Sequence, residues 1–190
     1  NQFAGYAKDL STATDPDVVV RKSTSSINYL GIPVGKTAFP ADIAAKLATM
    51  TVGQTTGVFE DKADNSLNIV RLVAKQQLPD SVQYRQIQIG GANPAAAHKT
   101  ADSIYTALKN GADFEAIAKK YRQEGQKTWM TTQQYQSDQS MDNDTKNFIN
   151  SLNTMAANET KNIALTQGNI ILQVLDRKGM TDKYTAAVIK

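Results

Sequence analysis

The order of apolar patterns between residues 81 and 179 constrains the fold of this chain more than any other feature of its sequence. Alternating runs bounded by Gly, Asn and Pro predict strands, and apolar residues at helical spacing predict helices. The predicted strands are 82–89, 128–130, 160–165 and 170–175, and the predicted helices are 94–108, 114–121 and 144–155. The order is therefore β-α-α-β-α-β-β.

Two polar stretches border or interrupt this pattern. Residues 76–80, which include Pro79, predict a linker on its N-terminal side. Residues 131–143 are rich in Gln, Asp, Asn and Ser, and they predict a long surface loop.

The first part of the chain repeats the later part of the same pattern. The aligned segments share apolar positions, and the longest pair keeps one constant offset. They are 2–8 with 113–119, 43–58 with 148–163, and 68–70 with 169–171. An internal repeat of this kind indicates two units of one fold.

The repeat predicts a division into two domains. Residues 1–78 form a partial unit without an opening strand and first helix, and residues 79–180 form a complete unit. The tail at 183–189 aligns with the opening strand at 83–89, and a bare sheet edge tends to be covered. We therefore expect the tail, 182–190, to complete the first unit; the alternative is that it opens a further copy.

Composition excludes several classes of protein. The chain has no cysteine, which excludes a disulfide framework, a thiol nucleophile and a thiolate zinc site. Its 21 Lys and Arg residues against 18 Asp and Glu residues give a net charge of only +3. The basic residues are scattered rather than clustered, which argues against nucleic-acid binding. No apolar run approaches the roughly 20 residues that a membrane span needs.

Four segments carry a resemblance to a known family. They are 82–87 (VQYRQI), 110–121 (NGADFEAIAKKY), the strand with Trp129, and 169–179 (NIILQVLDRKG). Together they resemble the parvulin-type peptidyl-prolyl cis-trans isomerase (rotamase) domain. The resemblance implies an α+β fold, with a parvulin-like (FKBP-like) antiparallel sheet and helices packed on it, plus a partial second parvulin-like unit. The whole arrangement is similar to that of SurA-like or membrane-anchored periplasmic folding factors of the Bacteroidetes type.

The resemblance also implies a site in which two histidines on adjacent strands form a hydrogen-bonded pair. This chain has Gln86 at the first of these positions and Asn169 at the second. The family's Asp before the second strand is missing as well, since residues 125–129 read Gly-Gln-Lys-Thr-Trp. If Gln86 and Asn169 face each other, the two amides still exchange a hydrogen bond, but neither titrates. We therefore expect weakened or lost catalysis.

Apolar residues near these positions are candidates for a proline-binding groove. We expect Trp129, Met130, Phe148 and Met155 to line it, because adaptable apolar side chains suit a sequence-tolerant peptide site. The alternative is that Phe148, Leu152 and Met155 are simply the buried face of an amphipathic helix.

No metal or cofactor is expected. His98 is the only histidine, and on a helix by itself it favours boundary packing over metal binding. Asp138, Asp142 and Asp144 approach the spacing of a calcium loop. They lack the glycine and the bidentate glutamate of an EF-hand, so a solvated loop is favoured.

Three functions stay open at this point. The leading one is a chaperone-like module that holds unfolded or proline-containing polypeptide segments during the folding of exported proteins. The others are an active isomerase and a structural spacer. The sequence begins at Asn1 without an initiator Met or a leader, so we expect an upstream segment. The resemblance then implies a periplasmic location, with an anchor to the inner membrane only through that segment.

Overall fold

The computed structural model describes residues 2–190 and divides into two compact units. Unit 1 comprises residues 2–78, Thr132–Met141 and Thr181–Lys190. Unit 2 comprises Pro79–Thr131 and Asp142–Met180. Unit 2 is thus inserted into the sequence of unit 1, and residues 132–141, which the predicted division placed in the second domain, belong to unit 1.

Within the described residues the secondary structure is mixed. The helices are α1 Gln2–Thr12, α2 Pro16–Lys22, α3 Ala41–Thr49, α4 Pro94–Lys109, α5 Phe114–Lys120 and α6 Asn143–Thr154. The strands are β1 Phe59–Asp61, β2 Ser66–Gly90, β3 Thr128–Thr131, β4 Thr160–Leu165 and β5 Gly168–Ile189, with 3-10 turns at Lys36–Ala38 and Thr132–Gln134. None of the helices in residues 2–190 has the length and apolar character to cross a membrane.

The helices of unit 2 begin where side chains satisfy the first backbone N–H groups. The Asn93 side chain accepts hydrogen bonds from the next turn at 3.1 and 3.3 Å, and Pro94 fits the first position of α4. Asp113 caps α5 by accepting from the Ala116 N–H at 2.9 Å. These local signals are legible in the sequence, and all the predicted helices and strands of this unit are confirmed.

Both predicted polar connections need correction. Residues 76–80 do connect the two units, whose boundary in the chain falls between Leu78 and Pro79, but they lie inside β2 and are not an irregular linker. The fixed φ of Pro79 is compatible with an extended chain, so proline does not end a strand where no ladder donor is required.

The predicted surface loop at 131–143 is also more ordered than its composition suggests. Thr132 and Tyr135 are buried. The Gln136 side chain donates to the Thr37 hydroxyl at 2.9 Å, and the Asn28 side chain donates to the backbone oxygen of Gln139 at 2.7 Å. Polar composition hid these contacts because amide side chains serve equally well in solvent and in hydrogen bonds to the rest of unit 1.

The sheet of unit 2 is antiparallel, as expected. β3 pairs with β2, with Val82 opposite Met130, and β4 pairs with β5, with Ile163 opposite Ile170. β5 also lies beside β2, so the strand order in this unit is β3-β2-β5-β4.

Side chains of this sheet alternate between two packed faces. The α4/α5 face buries Ile87, Ile89 and Ile171 with Ala97, Ala101, Ile104, Phe114, Ile117 and Ala118. The α6 face buries Val82, Tyr84, Ile170, Leu172 and Val174 with Leu152, Met155 and Ile163. Helices therefore cover both sides of the sheet, and each strand residue belongs to one side only.

Unit 1 repeats the backbone hydrogen bonds of unit 2. After α3, the Gly53 N–H donates to the oxygen of Leu72 at 2.7 Å; after α6, the Asn158 N–H donates to the oxygen of Val174 at 2.8 Å. In the opposite direction, the N–H of Leu72 and the N–H of Val174 each donate a 3.1 Å hydrogen bond to the backbone oxygen of the residue that follows Gly53 or Asn158. The repeat read from the sequence is therefore a repeat of structure.

The sequence alignment of residues 68–70 with residues 169–171 is wrong by one residue, however. Thr55 is bridged to Arg71, and the equivalent Thr160 is paired with Gln173. Arg71 therefore corresponds to Gln173, whereas the sequence alignment placed Leu72 there. The similar triplets Asn-Ile-Val and Asn-Ile-Ile favoured the displaced register, but a slip of one residue sends every side chain to the other face.

The tail of β5 lies in unit 1. The Val34 N–H donates to the Tyr184 oxygen at 3.0 Å, and the Tyr184 N–H donates back at 2.8 Å. Tyr184 is buried in one apolar cluster with Val70, and Ala187 is buried in another with Ile69. Both clusters of unit 1 thus draw residues from the tail and from the first part of β2.

An ion-pair cluster fixes the end of this tail. The Lys190 ammonium lies 2.7 Å from the Asp64 carboxylate and 3.4 Å from that of the buried Asp61. Ser25 accepts a hydrogen bond from the Lys190 N–H at 3.0 Å. The hydrogen bond from Lys190 lowers the pKa of Asp64 from 3.8 to about 2.

Deleting Thr181–Lys190 tests the role of the tail in unit 1. We expect amide-exchange protection to be lost at 68–73, because these residues share both apolar clusters with the tail. Protection in α4 and β4, which belong to unit 2, serves as the internal control. Unchanged protection at 68–73 would show that the tail is dispensable.

The Asp64 carboxylate predicts an acid-sensitive contribution to stability. Because its folded-state pKa is depressed, this contribution is present above the unfolded pKa of 3.8 and is lost as the pH falls towards about 2. We expect denaturant titrations to show Asp64→Asn less stable than wild type at pH 7, with the difference vanishing near pH 2. The exposed Asp138→Asn serves as control; an Asp64→Asn difference that persists at low pH would contradict the assignment.

Candidate functional site

An open groove lies on the α6 face of unit 2. It encloses about 540 Å³ of empty space, part of it open to solvent. Its walls are formed by Tyr84, Gln86 and Gln88 of β2, Asp144, Thr145 and Phe148 of α6, and Leu165 and Ile170. Alternation along β2 places every second side chain here, which is why the three β2 residues are two apart.

Aromatic side chains form the floor of the groove. The rings of Tyr84 and Phe148 meet edge to face, with centroids 5.6 Å apart and planes at 75°. Burial raises the pKa of the Tyr84 hydroxyl above its usual value of 10.0, so this side chain is neutral throughout the physiological range. These two rings therefore give the groove an aromatic and uncharged surface, which we call its floor.

The beginning of α6 forms one wall. Asp142 caps the helix by accepting from the Thr145 N–H at 2.7 Å, and hydrogen bonds from Thr145 lower the pKa of that carboxyl. Asp144, on the groove itself, accepts from the backbone N–H of Thr166 at 3.2 Å and from its hydroxyl at the same distance. The two aspartates thus position α6 and the turn before β5.

Gln86 is a polar residue of the groove with an enclosed side-chain oxygen. Its side chain lines the groove, and its Oε1 is buried without a hydrogen-bond partner among the described residues. A buried acceptor left unpaired costs about 1–3 kcal/mol, so a rotation of the side chain that pairs this oxygen with a donor in the groove would be favoured.

Asn169 does not face Gln86, which corrects the expected pairing of the two amides. Asn169 shares the α4/α5 face with Ile171, whereas Gln86 shares the α6 face with Tyr84. The Asn169 oxygen is hydrogen-bonded to Nδ1 of His98 on α4. The prediction that Gln86 and Asn169 lie on adjacent strands is correct, since β2 and β5 are neighbours. Two side chains on adjacent strands meet, however, only when they are opposite each other and point to the same face of the sheet.

A polar chain on the α4/α5 side was missed by the sequence analysis. The Asn169 amide donates to the Asn162 oxygen at 2.8 Å, and the Asn162 amide donates to Asp102 at 2.9 Å. A signal for it does exist, because His98 and Asp102 are four residues apart and flank the apolar stripe of α4. His98 is half-buried at the edge of that stripe, as boundary packing predicts.

The four predicted substrate-binding residues separate into three groups. Phe148 lines the groove. Met130 and Met155 pack in the apolar cluster of the α6 face, with Met155 only 2% exposed, so the buried-helix-face alternative holds for Met155. Trp129 is not in the groove: it is paired with Gln83, on the other side of the strand from Val82 and Tyr84, and Lys178 lies 4.8 Å from its ring centre.

The groove offers aromatic surface, amides and one carboxylate already engaged by Thr166. Within residues 2–190, no cluster of three or more histidine or acidic side chains is placed to hold a metal ion. The arrangement therefore suits the binding of an apolar ring and of peptide groups.

Comparison with known proteins identifies the family. Residues 67–178 match the family described as the PPIC-type PPIASE domain. Because the match spans more than half of the chain, the chain belongs to this family of parvulin-type peptidyl-prolyl isomerases, and the resemblance predicted from the sequence is confirmed. A domain of this family binds proline-containing polypeptide segments.

Among solved structures, the chain is similar to the crystal structure of PrsA from Bacillus subtilis. The identity is 18% and the TM-score is 0.38, over 53% of this chain and 36% of the PrsA chain. The chain thus spans only about a third of that relative. The comparison with curated proteins found no match.

Replacing both amides by histidine tests the separation of the two positions. We expect the imidazole pKa values of Gln86→His and Asn169→His, measured by NMR, to be the same in the double variant as in the single ones. Their stability changes should add within about 0.5 kcal/mol. The double variant should isomerise a proline peptide no faster than Gln86→His alone. Coupled titration of the two imidazoles, or an isomerisation rate above that of both single variants, would show that the two positions do face each other.

Proposed function

We propose that unit 2 holds extended, proline-containing polypeptide segments in the groove beside α6 and that its isomerase catalysis is weak or lost. The observation that carries this proposal is Gln86: it lines the groove at the position where the resemblance implies a histidine. The aromatic floor supplies a surface for the proline ring, and Gln86 supplies an acceptor for a peptide N–H.

Catalysis needs more than this binding. Rotation about the prolyl bond has an uncatalysed barrier of about 20 kcal/mol, and only contacts stronger in the twisted state than in the planar states lower it. A glutamine amide neither gains nor loses a proton, so it offers less adjustment than an imidazole. Gln86 therefore supports holding more than turnover.

The setting of this activity is part of the proposal. The resemblance to folding factors of exported proteins supports a chaperone-like role in the periplasm, with an upstream segment as the anchor to the inner membrane. The alternative for unit 2 is an active isomerase that twists the prolyl bond by desolvation and shape alone.

Two aromatic substitutions in unit 2 provide a matched test of the groove. An uncharged peptide with one Xaa-Pro step, titrated calorimetrically, should bind Phe148→Ala at least about tenfold more weakly than wild type, because an aromatic wall is lost. Trp129→Ala should bind as wild type does, because Trp129 lies on the other side of the sheet. Equal losses in both variants would contradict this groove, and near-UV dichroism checks that both are folded.

A protease-coupled assay on the same peptide separates the alternatives. We expect turnover within a few-fold of background. Turnover far above background, abolished by Phe148→Ala, would establish the active isomerase. Failure of wild type either to bind the peptide or to suppress aggregation of an unfolded client would leave only a spacer role.

A further inference from the structure

Unit 1 contains a cavity at a position that corresponds to the groove of unit 2. The tail alignment places Ala186 at the position of Gln86. The offset between 43–58 and 148–163, extended four residues towards the N-terminus, places Phe39, just before α3, opposite Asp144 in the first turn of α6. Both Ala186 and Phe39, with the bridged Val34, line a cavity of about 430 Å³ of empty space, part of it open to solvent. The structural repeat therefore extends from the backbone to a concave surface.

A short covering segment, residues 27–32, closes one side of this cavity. It is tied to the tail at both ends, by a 3.0 Å hydrogen bond from the Ser25 hydroxyl to the Val188 oxygen and by the two backbone bonds between Val34 and Tyr184. Gly31 has a φ of +71° within it, a conformation that glycine adopts without strain. The segment is thus an arch with fixed ends over an apolar space.

The lining selects the kind of ligand. Ile27, Leu30 and Ile32 of the covering segment add to the apolar walls, and the remaining polar lining residues are the amides Asn28, Gln136 and Gln139. None of the described residues that line the cavity is charged. These amides already make hydrogen bonds within unit 1, to Thr37, Ser137 and one another's segments, but each amide has two donor hydrogens and an acceptor oxygen, so capacity remains for a peptide backbone. Uncharged walls disfavour phosphate, nucleic acid and acidic segments.

We propose that this cavity is a second client-binding site, which takes an apolar side chain of an extended, uncharged polypeptide segment. The inference rests on the proposed function of unit 2, because it extends the same client class to the corresponding place in unit 1. One unfolded client with two apolar segments then engages one chain twice. Two linked contacts raise the apparent affinity without any new type of interaction.

A short uncharged peptide with one Leu-Pro step is the probe, followed by amide chemical shifts. Wild type should show two saturating sets of shifts, one around Thr145 and Phe148 and one around Ile32 and Gln136. Ala186→Leu fills the cavity. It should weaken the second set at least tenfold and leave the affinity of the first set unchanged.

The exposed Ala45→Leu on α3 is the matched control and should keep both sets. If amide exchange shows that the Ala186→Leu variant is unfolded, the variant Ala38→Leu replaces it, because Ala38 also lines the cavity. Shifts confined to the groove of unit 2 in wild type would overturn the second site while the proposed function stands. A second set that persists in the cavity-filled variant would overturn it as well.

A wild type without shifts at either place would overturn the proposed function itself. A longer client, with two Leu-Pro segments joined by a flexible Gly-Ser spacer, supplies an independent measurement. It should bind wild type at least tenfold more tightly than the short peptide does, and Ala186→Leu should remove that gain. Equal gains in wild type and Ala186→Leu would contradict binding at the cavity.

Discussion

The alternation of side chains along β2 and β5 is the constraint on which the site of unit 2 depends. Each residue of these strands packs either against α4 and α5 or against α6, since helices cover both sides of the sheet. Gln86 is thereby committed to the groove and Asn169 to the polar chain that contains His98. Neighbouring strands bring backbones together, but the alternation of side chains along each strand decides on which face of the sheet a given side chain lies. A single-residue shift in either strand would exchange the groove residues for core residues.

The two units show which part of this fold is specified by the backbone and which by side chains. The bonds that join the segment after α3 to Leu72 reappear after α6 at Val174, although the residues differ. Methionine ends both helices, and apolar residues fill the same positions of both cores. The lining of the two concave surfaces differs more: Gln86 and Asp144 of unit 2 correspond to Ala186 and Phe39 of unit 1. Hydrogen bonds and the apolar pattern thus maintain the same backbone arrangement in both units, while the residues that line the concave surfaces differ.

Much of the fold was accessible from the sequence because its signals are local. Caps such as Asp113 and the apolar stripe of α4 mark their elements without knowledge of the rest of the chain. The wrong predictions concern segments in which the conformation is determined by contacts with residues remote in sequence. The extended path through Pro79 and the contacts of 131–143 depend on neighbours that are remote in sequence. The placement of Trp129 and Asn169 depends on which face of the sheet each strand residue points to. The short strand-like pattern at 128–130 does not determine this for Trp129. Phe148 was found because an aromatic residue at the edge of the apolar stripe of an amphipathic helix is half-buried and borders both core and solvent.

The chemistry of Gln86 is the physical basis of the proposal that the groove holds a proline segment without turning it over. As the prolyl bond twists, the nitrogen loses conjugation and its lone pair becomes an acceptor, so catalysis requires a donor at that atom. In the proposed function the unpaired oxygen of Gln86 accepts from a peptide N–H, and that contact is the same for the cis and the trans peptide. The amide nitrogen of Gln86 is a donor as well, but only a donor aimed at the prolyl nitrogen would favour the twisted state. Binding energy that is equal in both planar states raises affinity and leaves the rotational barrier where it was, and this is the physical separation between a holding site and an isomerase.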